Sequence, residues 1–378
     1  MQFLKQLLAV AAVACSALAA AEPGVTDSTI TLGMSSPFTG PNGVYGVDMR
    51  QVIQAYFAQV NKGGGVNGRK IDLVALDDGY ETDRTVANTK TLIGDKRVFA
   101  LLAFYGSSPT TEAMNTVFGP ARVPLVGTIS GAGTLREPVA KNPNSHYMFN
   151  VRASYADETE AIINQLVSLG LKNIAVFYQN DGFGKSGLEG VTASLKKHNL
   201  APSAVATVER NSVDVAAAVD TIAKAKPQAV VMVTLYKPTA AFVQAMKKAG
   251  QRPMFTTLSP VGTEQLVKEL GADARGIVIS QVMPYPWNDI VPMVRDYQKL
   301  VGKGAYSYYG IEAYAMARIM VEALRKTGKE PTREKLVAAL ESTNTDLGGF
   351  RIGFTNTNRQ GSRFVEMTVV GPGGKVLK

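Results

Sequence analysis

The chain has 378 residues, 46% hydrophobic and 19% charged, with a formal net charge of +9. That length exceeds one ordinary domain and suggests two, and the apolar content is enough to bury real cores. The Lys and Arg residues are scattered, with no Arg-rich stripe and no interleaved aromatics, which argues against nucleic-acid binding and for a solvated surface.

The first elements concern export. Lys5 precedes the apolar run Leu7 to Cys15, small residues follow to Ala21, and Glu22 comes next. This reads as a secretory signal peptide over residues 1–21, too short to span a bilayer, with cleavage after Ala21 or after Ala19. Cys15 is the single cysteine. It is either an apolar residue of the leader or a lipidated anchor, and Ala12 stands where a lipobox usually has Leu. Cleavage at Ala21 leaves a mature chain without cysteine, suited to an oxidising compartment. No later stretch is apolar enough to cross a membrane.

Beyond the leader the period alternates. Ile30 to Met34 and Ile71 to Leu76 are short apolar runs. Between them Met49, Val52, Ile53, Tyr56, Phe57 and Val60 recur at helical spacing, ending at Gly63-Gly64-Gly65. Further strands are expected at Val98 to Phe104, Pro124 to Gly127, Asn173 to Tyr178, Ser203 to Val208, Ala229 to Val233, Met254 to Thr257 and Gly276 to Gln281. Helices are expected near 82–94, 109–118, 155–169, 185–198, 213–225, 238–249, 262–270, 290–302, 307–327 and 332–341. Such alternation means an α/β fold with mainly parallel sheets. Breaks at Asn142-Pro143-Asn144 and at Met283-Pro284-Tyr285-Pro286 split it into two lobes. The tail beyond Gly348-Gly349 turns to short segments, with Phe364 to Val370 the clearest. Ligands of open α/β sheets sit at the carboxyl ends of the strands, so both lobes present loops to a shared cleft.

Two loops carry the chemistry. In Tyr105-Gly106-Ser107-Ser108-Pro109, Ser108 reads as an N-cap and Pro109 as the first helical residue, so hydroxyls and free N–H groups make an anion site. Alternatively, the serine only caps its own helix. One βα unit later comes Thr128-Ile129-Ser130-Gly131, again small and hydroxyl-rich. Adjacent strand ends bring the two loops together, and a ligand carboxylate suits them. Tyr45, Tyr105, Tyr155, Phe183 and Tyr236 fall at positions that would wall the cleft, each offering an apolar face; taken singly, each is also explained by packing.

Other patterns carry less. Asp77-Asp78 reads as turn and capping residues, with no His or third carboxylate to complete a metal site. His146 and His198 lie in no metal-ligand spacing. Gly182-Phe183-Gly184-Lys185-Ser186-Gly187 fits a dinucleotide fingerprint, but an exported chain leaves the cytosolic cofactor pool and Asp181 would repel a pyrophosphate. Ser194 to Lys197 and Lys326-Thr327-Gly328 fit fragments of penicillin-binding enzymes without the intervening element. No cofactor, metal or catalytic constellation is expected.

The chain resembles the type I periplasmic binding proteins of branched-chain amino acid ABC importers, the Leu/Ile/Val-binding group, from about Thr29 to the C-terminus. The marks are Ile30-Thr31-Leu32-Gly33-Met34-Ser35 with Thr39-Gly40-Pro41, Gly64-Gly65-Val66-Asn67-Gly68-Arg69-Lys70, Leu76-Asp77-Asp78, Asp181-Gly182-Phe183-Gly184, Arg275-Gly276 and Glu312-Ala313-Tyr314. The resemblance implies two Rossmann-like lobes joined by three hinge crossings and closing around a ligand. The lobes would comprise 25–149 with 283–358 and 150–282 with 359–378. It implies a non-enzymatic, monomeric, periplasmic protein whose partners are a small ligand and the membrane permease of an importer.

It also implies that Ser107 or Ser108 and Thr128 to Ser130 grip a carboxylate. Tyr45 would wall the ligand, and Tyr155, Asp181, Phe183 and Tyr236 would face it from the second lobe. Asp181 meets an ammonium group or caps its loop. One departure concerns Ser259, which stands where the best-defined amino-acid binders carry a glutamate facing that ammonium. A hydroxyl does not replace a carboxylate as counter-charge. Aromatic acids, amides and other small carboxylates therefore stay open as ligands. A sensor docking on a receptor and an exported hydrolase stay open as roles.

Overall fold

Residues 22–378 are described by a computed structural model. The segment expected as a leader, with Cys15, lies outside them. Continuous apolar runs form the central strands: β3 (Ala100–Tyr105), β4 (Leu125–Ile129) and β8 (Ala229–Val233) are buried along their whole length. Strands covered by helices on both faces read this way. The edge strand β7 (Val205–Val208) alternates between exposed and buried residues instead.

The first sheet has the order β2 (Lys70–Asp77), β1 (Thr29–Ser36), β3, β4, β5 (Met148–Phe149), parallel throughout. The second runs β14 (Val376–Leu377), β13 (Glu366–Val370), β10 (Val278–Gln281), β9 (Met254–Thr257), β8, β6 (Ile174–Gln179), β7. Only β13 runs against the others, so its ladders with β10 and β14 are antiparallel. Strand order reverses beside β1 in one sheet and beside β6 in the other, the places where open α/β sheets form crevices.

Helices α1 (Gly43–Lys62), α2 (Thr82–Gly94) and α3 (Ser107–Ala113) follow β1, β2 and β3. In the second sheet α5 (Gly182–Lys197), α6 (Ala216–Lys224), α7 (Tyr236–Lys248) and α8 (Thr263–Leu270) follow β6 to β9, and α4 (Tyr155–Ser168) precedes them. The chain then forms α9 (Pro292–Val301), α10 (Tyr308–Lys326), α11 (Arg333–Glu341) and the hairpin β11 (Asn344–Asp346) and β12 (Arg351–Gly353). Helix α10 packs on α1, β3 and β4 and so belongs with the first sheet. The backbone passes between the sheets three times: from β5 to α4, from β10 to α9, and from β12 to β13.

Helix starts follow their caps. Ser154 and Asp157 form a capping box on α4, Asp181 accepts from the Phe183 and Gly184 N–H groups at α5, and Ser307 accepts from the Gly310 N–H at α10. Lys196-Lys197 and Lys247-Lys248 fall in the last turns of α5 and α7, against the negative end of the helix dipole.

Three expectations need correction. The segment expected as one helix over 109–118 divides into α3 and a π-helical turn, Met114–Phe118. Ser108 is not its cap and Pro109 is not its first residue. Gly106 at φ +93° turns the chain into the helix two residues earlier, in a conformation that favours glycine. The strands expected from Ser203, Gly276 and Phe364 begin two residues later, at Val205, Val278 and Glu366.

Candidate functional site

The carboxyl ends of β1, β3 and β4 face those of β6, β8 and β9 across a closed cleft. An aligned irregularity aims two of these loops. Ala103 in β3 and Gly127 in β4 both have positive φ, +54° and +73°, and the ladder passes from Leu102↔Val126 to Phe104↔Thr128 across them. Beyond it Ser107 and Ser130 meet with their hydroxyl oxygens 2.8 Å apart, both buried. From the other side of the cleft, the Tyr155 hydroxyl lies 3.4 Å from Ser107 Oγ, and the Tyr155 N–H donates to the Gly131 carbonyl at 2.8 Å. Thr128 does not join the pair, because its hydroxyl bonds Thr110 at 3.0 Å within the lobe. Ser108 acts between the loops: its Oγ accepts the Gly182 N–H at 2.9 Å.

Tyrosines fill the middle. Tyr45 stacks on Tyr309 with ring centroids 4.3 Å apart and lies 5.9 Å from Tyr105, while Tyr236 meets it edge-on at 5.8 Å. Their hydroxyls tie opposite loops together. Tyr45 donates to the Val261 carbonyl and Tyr309 to the Pro260 carbonyl, each at 2.8 Å, and Tyr236 donates to the Pro41 carbonyl at 3.0 Å. Gly262, at φ +77°, lets the opposing loop approach: a Cβ there would lie 2.3 Å from the Tyr45 hydroxyl oxygen. Phe183 packs on Tyr155 at 5.2 Å.

Asp181 is already engaged. Besides capping α5 it pairs with Arg210 at 3.1 Å and accepts from Gln179 at 2.7 Å and Tyr80 at 3.4 Å. The glycines of the dinucleotide-like loop serve close packing. A Cβ on Gly184 would strike the Gln179 carbonyl oxygen at 1.8 Å, and one on Gly187 would strike Val233 at 2.4 Å.

The group that sequence reasoning missed lies on the first crossing. Arg152 is 1% exposed. Its guanidinium lies 3.4 Å from Glu158 of α4 and 3.6 Å from Glu312 of α10, and it donates to the Ser259 hydroxyl. The second Glu158 oxygen accepts from the Ser259 N–H at 2.8 Å and the Ser280 hydroxyl at 2.6 Å. One buried cation therefore binds carboxylates from both sides of the hinge. Burial pushes Glu312 up to about 7, with Arg152 opposing and Glu158 adding to the rise. Arg152, Ser259, Gln281, Tyr308, Tyr309 and Glu312 line a small cavity behind the tyrosines. The available signal was a lone charge in an apolar setting: Val151-Arg152-Ala153, and Ile311-Glu312-Ala313 inside a helix whose neighbouring residues are buried.

Asp77 and Asp78 hold turns. Asp77 accepts from the Phe38, Thr39 and Gly79 N–H groups, the Thr39 hydroxyl and Arg84. Burial works against its charge, but these bonds outweigh it and hold the carboxyl below its usual range. Asp78 accepts from Ser35, Thr85 and the Tyr80 N–H, yet burial still pushes it up to about 6. Among the described residues, no group of three His, Cys, Asp or Glu side chains is placed to hold a metal ion.

Known proteins share this architecture. Residues 29–375 match the family described as periplasmic binding protein. An amino acid binding protein of Pseudomonas aeruginosa is 25% identical over 64% of this chain and 63% of its own length, so that match spans less than two thirds of the relative. The Leu/Ile/Val-binding protein homolog 7 of Brucella abortus is 23% identical over 95% of this chain and 92% of its own. Among solved structures, a substrate-binding periplasmic protein from Ralstonia solanacearum superposes with a TM-score of 0.85 at 33% identity, covering 92% of this chain and 99% of that one. A possible leucine/isoleucine/valine-binding protein from Rhodopirellula baltica gives 0.85 at 29%, covering 93% and 97%. With two mainly parallel sheets, three backbone crossings and a match over nearly its whole described length, the chain belongs to the periplasmic binding protein family.

Proposed function

We propose that this protein captures a small carboxylate-bearing molecule, a branched-chain amino acid or a related acid, between its lobes in the periplasm and delivers it to the permease of an ABC importer. The lobes are 25–149 with 283–358 and 150–282 with 359–378, and residues 1–21 are a cleaved leader. The protein acts as a monomer and makes or breaks no bond in its ligand.

The observation that carries this reading is the Ser107–Ser130 hydroxyl pair at adjacent strand ends, with Tyr155 reaching it from the opposite lobe. Two hydroxyls that bond each other at 2.8 Å can each rotate to donate to one carboxylate. Opening the lobes separates the tyrosine hydroxyls from the carbonyls they hold, and closure restores them, so a ligand's contacts with both lobes add to those links. In this reading Tyr45, Tyr236 and Phe183 wall the ligand's apolar body. Ser108 and Asp181 hold the closed loops, and Thr128 supports Ser130 from behind. Ser259 orients Arg152.

The test is mass spectrometry of small molecules released by denaturing freshly purified protein. A small carboxylic acid in near-stoichiometric amount is expected. A stoichiometric ligand without an acidic group would overturn the reading.

A further inference from the structure

The loops that follow the two edge strands meet across the cleft. β2 stands at one edge of the first sheet and β7 at one edge of the second. The strands that feed the crossings, β5 in the first sheet and β10 and β13 in the second, stand on the opposite side of each. A contact between the β2 and β7 loops is therefore far from the hinge, where a given opening angle separates the lobes most.

Each half of this contact is built inside its own lobe. After β7, Arg210 is held by the Asp181 carboxylate at 3.1 Å, and Asn211 takes φ +59°, a left-handed conformation in which asparagine is enriched. After β2, Tyr80 takes φ +66° and its N–H donates to the Asp78 carboxylate at 2.9 Å. Groups fixed before they meet lose little freedom on meeting.

Four hydrogen bonds of Arg210 and Asn211 join the halves. Arg210 Nη1 donates to the Thr82 hydroxyl at 3.1 Å and to the Tyr80 carbonyl at 3.4 Å, and its guanidinium lies 5.3 Å from the centre of the Tyr80 ring. Asn211 Nδ2 donates to Glu81 Oε1 at 2.7 Å, and Asn211 Oδ1 accepts from Asn42 Nδ2 at 3.0 Å. Neither Arg210 nor Asn211 is among the residues assigned to the ligand. Bonds between the lobes that leave the ligand untouched favour the closed state equally for every ligand, and also when none is bound.

We infer that Arg210 and Asn211 form a latch on the side of the cleft away from the hinge. It keeps a measurable share of the protein closed without a ligand and slows release of whatever the cleft holds. This rests on the proposed capture between the lobes and not on the chemistry of what is captured.

The test measures lobe separation in protein stripped of ligand by unfolding and refolding. Spin labels at Lys90→Cys of α2 and Lys224→Cys of α6, both exposed positions, report the distance by double electron–electron resonance. A Cys15→Ser background removes the single native cysteine. The labelled protein is expected to show a short and a long distance. Asn211→Gly removes two of the bonds and suits the left-handed backbone, while Thr82→Val removes one and leaves the Arg210–Asp181 pair intact. The ratio of short to long should fall about tenfold in the first and about threefold in the second, with circular dichroism confirming that both are folded. An unchanged ratio in both folded variants overturns the inference, and so does a labelled protein with no short component. The readout needs no bound molecule, so a ligand without an acidic group would overturn the carboxylate reading and leave this result to stand.

Discussion

The Ser107–Ser130 pair and the cluster around Arg152 lie in one cleft and meet the cost of burial in opposite ways. The hydroxyls are neutral, come from two loops one βα unit apart, and satisfy each other at 2.8 Å. The three charges, Arg152, Glu158 and Glu312, come together with Ser259 and Ser280 from distant parts of the chain, and each needs the others to remain buried. A hydroxyl pair can exchange its mutual bond for a ligand at little cost, while a charge cluster across a hinge fixes how the lobes sit. The first region is suited to binding and the second to holding the frame.

The largest expected effect breaks the second region. Arg152→Met strands Glu158 and leaves Glu312 without its cation, and should cost about 3–5 kcal/mol of stability in denaturant unfolding. A loss below about 1 kcal/mol would mean that the cluster does not hold the hinge.

Next comes pH. Burial raises Glu312 and Glu264, each to about 7, and Asp78 to about 6. The folded state therefore binds more protons than the unfolded one between the ordinary carboxylate range and about pH 7. Stability should fall as pH rises through that window. Asp77 and Asp157 are held low and act with the opposite sign only under more acidic conditions. Melting temperature should thus drop between pH 5.5 and pH 8. Glu312→Gln should flatten the slope by on the order of 2 kcal/mol across the window. An unchanged slope removes Glu312 from this account.

Closure can be weakened without touching either cluster. Gly262→Ala places a methyl against the Tyr45 ring at a backbone position that favours glycine. It should lower ligand affinity by about 1–2 kcal/mol, with at most a smaller loss of stability. Tyr45→Phe removes one hydrogen bond across the cleft, to Val261, and should weaken binding by about 0.5–1.5 kcal/mol in calorimetry. The smallest effect concerns the strand that aims Ser107. Ala103 carries φ +54°, so Ala103→Gly should leave thermal stability unchanged or raise it by up to about 1 kcal/mol.

The same contrast explains what the sequence revealed. Strands such as Ala229–Val233 and helices such as α10 carry a periodicity that local residues alone determine, and they fall where that periodicity puts them. Ser107 and Ser130 were legible because hydroxyls after consecutive parallel strands must become neighbours. Arg152, Glu158 and Glu312 were not, because each sits in an apolar stretch and acquires meaning only through partners far along the chain. Ser108 looked like a helix cap because the turn at Gly106, which starts the helix earlier, has no signature beyond a glycine. The cap on Asp181 was legible, but its ion pair was not, because Arg210 lies 29 residues away, just beyond the next strand.

The measurement that tests the central claim most directly is calorimetric titration of the ligand identified by mass spectrometry into wild-type protein and a Ser107→Ala, Ser130→Ala double variant. Hydrogen bonds to a charged group contribute about 1.5–3 kcal/mol each, so the pair should weaken binding by about 2–4 kcal/mol while melting temperature changes little. Unchanged affinity in a folded double variant would contradict the claim that these hydroxyls hold the ligand's carboxylate.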